Sequence, residues 1–128
     1  MSRSSDAGRR AWMTRQRELL VAGREQYGAR VAELVAEDLA DEDLCRGLAA
    51  WVDRYRAERG TGPTWREVAE QARPDVCDDV DPAGGDLPCR VYADALVLAL
   101  ARAKWVRYGR GRGSLRAGPR LRQDAAQD

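Results

Sequence analysis

Residues 89–116, CRVYADALVLALARAKWVRYGRGRGSLR, decide how this chain folds. Their first half is apolar on nearly every side, which predicts a largely buried helix over about 89–103. From Trp105 to Tyr108 the side chains alternate as they do in a strand, and a glycine-arginine turn follows. Residues 114–117 can pair back against that strand. The sequence therefore predicts a buried helix that leads directly into a small β-hairpin.

The same part of the chain carries a concentrated positive charge. From Arg90 to Arg122 there are nine basic residues and one acid, Asp94, which gives a local charge of +8 in a chain of net charge +1. Such a concentration predicts a surface that binds polyanions. The nine residues are Arg90, Arg102, Lys104, Arg107, Arg110, Arg112, Arg116, Arg120 and Arg122.

Length and composition limit the class of protein. The 128 residues allow one domain with a single core. The longest apolar run, 95–101, is far shorter than the roughly 20 residues that span a bilayer. The first residues also lack the apolar core of a signal peptide. We therefore expect a cytoplasmic protein without a membrane partner.

The chain contains three cysteines and no histidine. Cys45, Cys77 and Cys89 lack CxxC spacing, so a zinc site is not expected. A disulfide between Cys77 and Cys89 is conceivable, but a cytosolic location favours three reduced, inert thiols. The absence of histidine removes the commonest general base, and no other catalytic constellation is evident. We predict neither enzymatic activity nor a cofactor.

The amino-terminal part divides into two segments. Residues 1–9 are expected to be disordered, and residues 10–40 form a helical extension. One long helix or two shorter ones both fit, because Gly23 and Gly28 each weaken a helix by roughly 1 kcal/mol. The apolar face can pack on the chain's own core, or residues 10–38 can form a homodimer interface. That face consists of Leu20, Tyr27, Val31, Leu34 and Val35.

Two further helices are indicated by their end signals. The segment 41–59 begins with three acids, carries an apolar stripe and stops at Gly60. Thr64 and Glu67 have the spacing of a capping box, which predicts a short helix that ends near Ala72. These segments supply the scaffold on which the last helix packs.

An acidic segment, residues 75–86, separates the short helix from the last one. It contains five aspartates but does not match the ligand order of a calcium-binding EF-hand, so a solvated loop is favoured. The segment could also fold over the basic surface and screen it. After the hairpin, residues 118–128 are expected to form a flexible tail.

In order, residues 41–117 predict a helix, a turn, a short capped helix, a loop, a helix and a hairpin. This order resembles the winged helix-turn-helix family. The sequence GTGPTWREVAEQA at 60–72 resembles the entry into the second helix of such domains. The sequence LARAKWV at 100–106 resembles their passage from recognition helix to wing. The expected fold is mainly α with a small β-hairpin, a winged helix-turn-helix preceded by an amino-terminal helix.

The resemblance implies a small transcriptional regulator of a bacterium or mobile element that binds double-stranded DNA. Its recognition helix would span about 89–103 and its wing 105–117. A protein–protein adaptor on the same scaffold, and a nonspecific nucleic-acid binder that uses the basic tail, remain alternatives. The implied DNA contacts are Arg66, Arg90, Tyr92, Asp94, Arg102, Lys104, Arg107, Arg110, Arg112 and Arg116.

Overall fold

The computed structural model describes residues 2–78 and 87–127. Within these ranges the chain is mainly α-helical with one two-stranded antiparallel sheet, as the sequence predicts. Among the described residues, no helix is both long enough and apolar enough to cross a bilayer. The elements are α1 (Ser2–Ala40), α2 (Glu42–Arg59), α3 (Trp65–Ala72), α4 (Pro74–Asp78), α5 (Leu87–Arg102), β1 (Val106–Arg107), β2 (Arg116–Ala117) and α6 (Pro119–Gln127).

Helix α1 is one continuous helix of 39 residues. It begins at Ser2 and so includes residues for which the sequence predicts disorder. The helix passes through Gly23 and Gly28 without interruption, and Gly23 is buried. Its most extensive packing is against α5. This packing offsets the low helix propensity of the two glycines, because tertiary contacts contribute most of the stability of a helix in a protein.

The ends of α2 and α3 form as their sequences predict. The Asp41 carboxylate accepts a hydrogen bond from the Leu44 amide at 3.1 Å. Gly60 adopts a φ of 78°, and its amide donates to the Arg56 carbonyl at 2.8 Å. The capping box of α3 is also confirmed, since both of its reciprocal hydrogen bonds are present. Local signals were sufficient here because each cap is made by residues three or four positions apart.

Helix α5 lies at the centre of the core. It contacts α1, α3 and α4, and it passes directly into β1. It ends in a Schellman motif, in which the Trp105 amide donates to the Leu100 carbonyl at 2.9 Å and the Lys104 amide to the Ala101 carbonyl at 3.1 Å. The largest fully buried side chains around it are Trp105, Tyr92, Leu96, Leu100, Leu115, Val52, Val68, Val97 and Val106.

The cysteines differ from the reduced set that the sequence favours. Cys77 of α4 and Cys89 of α5 form a disulfide, with their Cα atoms 4.6 Å apart. The segment predicted as a loop begins with a helical turn, and this turn packs on α5 and brings the two buried cysteines together. Cys45 is free and buried, and its thiol donates to the Asp38 carbonyl at 3.3 Å. Most of the segment considered as a calcium-binding loop, or as a loop that screens the basic residues, lies outside the described residues, at 79–86.

The segment 118–128, which the sequence predicts to be a flexible tail, contains helix α6. The Gly118 amide donates to the Trp105 carbonyl at 2.7 Å, and the Arg120 amide donates to the Lys104 carbonyl at 3.1 Å. A Cβ atom on Gly118 would collide with the Lys104 carbonyl. The guanidinium of Arg120 lies 4.5 Å from the centre of the Trp105 ring. Helix α6 is therefore docked on the hairpin by backbone and side-chain contacts.

Candidate nucleic-acid interface

The hairpin places two arginines directly opposite each other. In its register Val106 pairs with Ala117, and Arg107 pairs with Arg116. Val106 is buried, whereas both arginines are exposed. Like charges at directly opposite positions destabilise an antiparallel pair. The inward face of the hairpin thus holds it on the core, while its outward face concentrates positive charge.

The turn between the strands is closed by one serine. The Ser114 hydroxyl accepts from the Gly109 amide at 3.1 Å and donates to the Gly109 carbonyl at 3.0 Å. Gly111 and Gly113 have φ values of 88° and 76°, a region that glycine enters without steric cost. The glycines therefore permit a tight turn that presents the intervening arginines to solvent.

The base of the turn is fixed to the end of α2. Arg56 Nη1 donates to the carbonyls of Gly113 at 3.0 Å and Leu115 at 3.4 Å. The Gly62 amide also donates to the Gly113 carbonyl at 3.0 Å, so the segment after α2 lies beside the hairpin. Arg56 is a positioning residue that the sequence pattern does not indicate. Its partners are 57 and 59 residues away, and no local pattern marks such a contact.

Aromatic packing gives the turn a second attachment. The rings of Trp65 and Tyr108 meet edge to face, with their centres 5.1 Å apart. A cleft of about 320 Å³ opens between Trp65 at the start of α3 and Arg112 in the turn. The hairpin is thus held at both its base and its side, which limits how far its arginines can be displaced.

Most of the basic residues near the hairpin remain available to a ligand. Seven of them are exposed, and their side chains form no hydrogen bond or ion pair with any described residue. Arg120 differs, because it stacks on Trp105 and lies 3.3 Å from the Glu42 carboxylate. We call the seven the basic surface: Arg102, Lys104, Arg107, Arg110, Arg112, Arg116 and Arg122.

The hairpin and α6 enclose an arginine cleft of about 510 Å³. Three arginines line it, Arg107, Arg116 and Arg122, and none of the described residues that line it is acidic. A neighbouring cleft of about 320 Å³ shares Arg107 and adds Lys104. A bound anion would reduce the repulsion between Arg107 and Arg116, because it would lie between like charges. Arg122 belongs to the basic stretch that the sequence predicts to bind polyanions, but the contacts that the resemblance implies end at Arg116.

Lys104 occupies an uncommon backbone conformation within this surface. Its φ is 72°, and among the described residues it is the one non-glycine residue with positive φ. Glycine is the usual residue at this position of a Schellman motif, and another residue costs roughly 1–2 kcal/mol. The chain thus has an exposed lysine where stability alone would favour glycine.

Tyr92 does not belong to the interface. It is fully buried, and its hydroxyl donates to the carboxylate of Asp38, which also binds Arg73. Burial raises the pKa of Tyr92, and the hydrogen bond to Asp38 raises it further. The resemblance places Tyr92 on an exposed helix, but its apolar neighbours make α5 a core helix. The phenol therefore binds a polar partner inside the protein.

The first turns of α5 face α1 rather than open solvent. Arg90 Nη1 donates to the Gln16 side chain at 2.9 Å. Asp94 lies 3.7 Å from Arg24, and desolvation raises the pKa of Asp94. Since Gln16 and Arg24 belong to α1, this helix covers the part of α5 that the resemblance assigns to base contacts. Sequence pattern alone could not place α1 there.

The predicted contacts thus do not form one surface. The hairpin residues and the end of α5 lie near one another on the basic surface, whereas Arg90 and Asp94 are engaged by α1. Arg66 stands apart on α3, where it pairs with Glu70 at 3.0 Å on the surface. The chain is therefore a small, mainly helical protein whose hairpin carries dense positive charge. Protein-family models, curated proteins and solved structures give no match to it.

Proposed function

We propose that this protein binds double-stranded DNA and that its hairpin acts as the wing of a winged helix-turn-helix domain. In this assignment α2, α3 and α5 are the three helices, and the segment around Gly62 runs beside the hairpin. The observation that carries the proposal is the basic surface, with its seven exposed cations that have no described partner. Positive charge gathered on one structural unit is the electrostatic signature of a nucleic-acid-binding protein.

Phosphate contacts would supply most of the affinity. A guanidinium binds phosphate oxygens bidentately, and the glycines beside Arg110 and Arg112 allow the backbone to approach DNA closely. Because α1 covers the first turns of α5, few base contacts can come from that helix. Any sequence preference would then arise at the wing tip, in the minor groove. A role in transcription regulation is a more specific version of this proposal, because it requires such a sequence preference.

Salt dependence of binding tests the proposal. Fluorescence anisotropy with labelled duplex would measure affinity from about 0.05 to 0.2 M salt. If four cations neutralise phosphates, log affinity falls with log salt at a slope of about −3.6. The double variant Arg110→Ala, Arg112→Ala should flatten the slope by about 2. The matched control Arg30→Ala, Arg54→Ala removes two exposed arginines elsewhere and should leave the slope unchanged. Absence of binding at the lowest salt would reject the proposal.

A protein–protein adaptor on the same scaffold is the second candidate. The packing of α1 against α5 favours this adaptor function, because a buried recognition helix cannot enter a major groove. The two candidates differ in their response to salt. Loss of DNA binding at every salt concentration, with the fold intact, would favour the adaptor.

A further inference from the structure

Helix α1 carries two lengthwise stripes of side chains. The inner stripe packs towards α5 and includes the buried Val31. The second stripe lies on the exposed side of the helix, and its residues follow one another at alternating intervals of three and four positions. Positions 22 and 26 belong to it as well. This alternation is the spacing of a coiled-coil seam. The residues that we call the outer stripe are Trp12, Arg15, Leu19, Ala29, Glu33 and Ala36.

The amino-terminal half of α1 leaves apolar surface without a cover. Trp12 is 56% exposed and Leu19 is 46% exposed. The helix has 39 residues against 16 in α5, lengths of about 58 Å and about 24 Å. Helices shorter than roughly 12–15 residues are marginal in water without tertiary contacts. The part of α1 that extends past α5 is therefore expected to pack on another surface.

The distribution of charge along α1 indicates that this other surface is α1 of a second copy of the chain. Residues 9–24 contain five arginines and one acid, a net charge of +4. Residues 25–40, the other half of the helix, contain four acids and one arginine, a net charge of −3. Two copies of α1 placed side by side in parallel would bring like halves together. Placed antiparallel, each basic half would lie along the acidic half of the other copy, which is electrostatically favourable.

We propose that two copies of this chain associate through the outer stripes of antiparallel α1 helices. One register places Arg15 of each copy opposite Glu33 of the other. The same register places Trp12 opposite Ala36 and Leu19 opposite Ala29, so large side chains meet small ones. Twofold symmetry forms each of these layers twice. This association concerns α1 alone and does not depend on DNA binding.

Charge exchange within the proposed layer tests both the contact and its direction. Arg15→Glu would place two glutamates together, and Glu33→Arg would place two arginines together. Each single variant should raise the dimer dissociation constant about tenfold or more in sedimentation equilibrium. The double variant Arg15→Glu, Glu33→Arg restores opposite charges and should recover the wild-type constant. In a parallel pair Arg15 would face its own copy, so the single variants would not weaken association.

Two controls separate the contact from general effects of charge and folding. Arg17→Glu makes the same charge change off the stripe and should alter the constant less than about twofold. An equimolar mixture of the Arg15→Glu and Glu33→Arg proteins should form a heterodimer, because both layers then hold opposite charges. Recovery in the mixture also shows that each variant is folded. A wild-type protein that stays monomeric up to about 1 mM would overturn the proposal, as would a double variant or mixture without recovery.

Discussion

At the scale of single residues, Asp38 joins three parts of the chain. It is 3% exposed and is the one buried charged residue among those described. Its carboxylate lies 2.8 Å from Arg73 and accepts a hydrogen bond from Tyr92, while its carbonyl accepts from the Cys45 thiol. An ionised group buried without partners would be very unfavourable, so these contacts make the burial of Asp38 tolerable. They tie α1 to α2, to the end of α3 and to α5.

Removing the Tyr92 hydroxyl should weaken this network measurably. Tyr92→Phe deletes a hydrogen bond to a charged acceptor, which should lower the free energy of unfolding by about 1.5–3 kcal/mol in urea titrations at neutral pH. The matched control is Tyr108→Phe, because Tyr108 is 45% exposed. That control should change stability by less than about 0.5 kcal/mol. Equal effects of the two variants would contradict the buried hydrogen bond.

The same residue gives a prediction for alkaline pH. Burial and the bond to Asp38 raise the pKa of Tyr92, so the folded protein keeps this proton at a pH where the unfolded chain loses it. Its contribution is therefore complete below the unfolded pKa of about 10 and is lost as the pH rises above that value. Between about pH 10 and pH 11, wild-type stability should fall more steeply than that of Tyr92→Phe. Parallel curves would contradict this assignment.

At the scale of elements, predictability follows the range of the interactions that form each element. The capping box of α3 lies within four residues, so Thr64 and Glu67 were sufficient to place the start of that helix. Helix α6 depends on contacts to Lys104 and Trp105, which its own sequence does not reveal. The Cys77–Cys89 disulfide likewise depends on the packing of α4 on α5. The start of α3 could therefore be predicted from local sequence, whereas the docking of α6 and the formation of the disulfide depend on tertiary contacts and could not.

Gly118 provides a direct test of whether α6 is docked. Gly118→Ala should lower the free energy of unfolding by about 1–3 kcal/mol, because its Cβ would force the chain away from Lys104. Gly47→Ala is the matched control, since the space around the Gly47 Cβ position in α2 is open. It should raise stability by about 0.5–1 kcal/mol, as alanine favours a helix. If residues 118–128 were instead a free tail, Gly118→Ala would be neutral in the same thermal or urea titration.

The disulfide predicts a definite count of thiols. Cys77 and Cys89 are paired and Cys45 is buried, so the folded protein should react slowly with a thiol reagent. After unfolding without reductant one thiol should react, and after reduction three should. Reduction should also lower the free energy of unfolding by about 2–4 kcal/mol, because the unfolded chain loses a constraint. Three reactive thiols in unreduced, unfolded protein would show that the bond is absent.

At the scale of the whole molecule, the net charge of +1 does not by itself indicate that the protein binds an anion. The position of the charge matters instead. Residues 25–43 carry −6, whereas the basic surface gathers seven cations around the hairpin and α6. The sequence predicted this surface because its residues are close along the chain. It could not predict that α6 would complete the arginine cleft, or that α1 would cover the start of α5.

If the hairpin binds DNA as proposed, variants in the arginine cleft distinguish contact through the tip of the hairpin alone from contact that also uses its base and α6. The triple variant Arg107→Gln, Arg116→Gln, Arg122→Gln should flatten the salt slope of duplex binding by about 2.7 if all three contact phosphate. A control triple at exposed arginines of α1 and α2 removes the same charge and should leave the slope unchanged. That control is Arg17→Gln, Arg30→Gln, Arg54→Gln.

The same variant tests the repulsion within the cleft, where like charges lie opposite each other. The triple variant Arg107→Gln, Arg116→Gln, Arg122→Gln should be more stable than the wild-type protein at about 0.01 M salt and should lose this advantage at about 1 M. A flattened slope without this salt-dependent gain in stability would mean that the three arginines contact DNA but do not repel one another across the cleft.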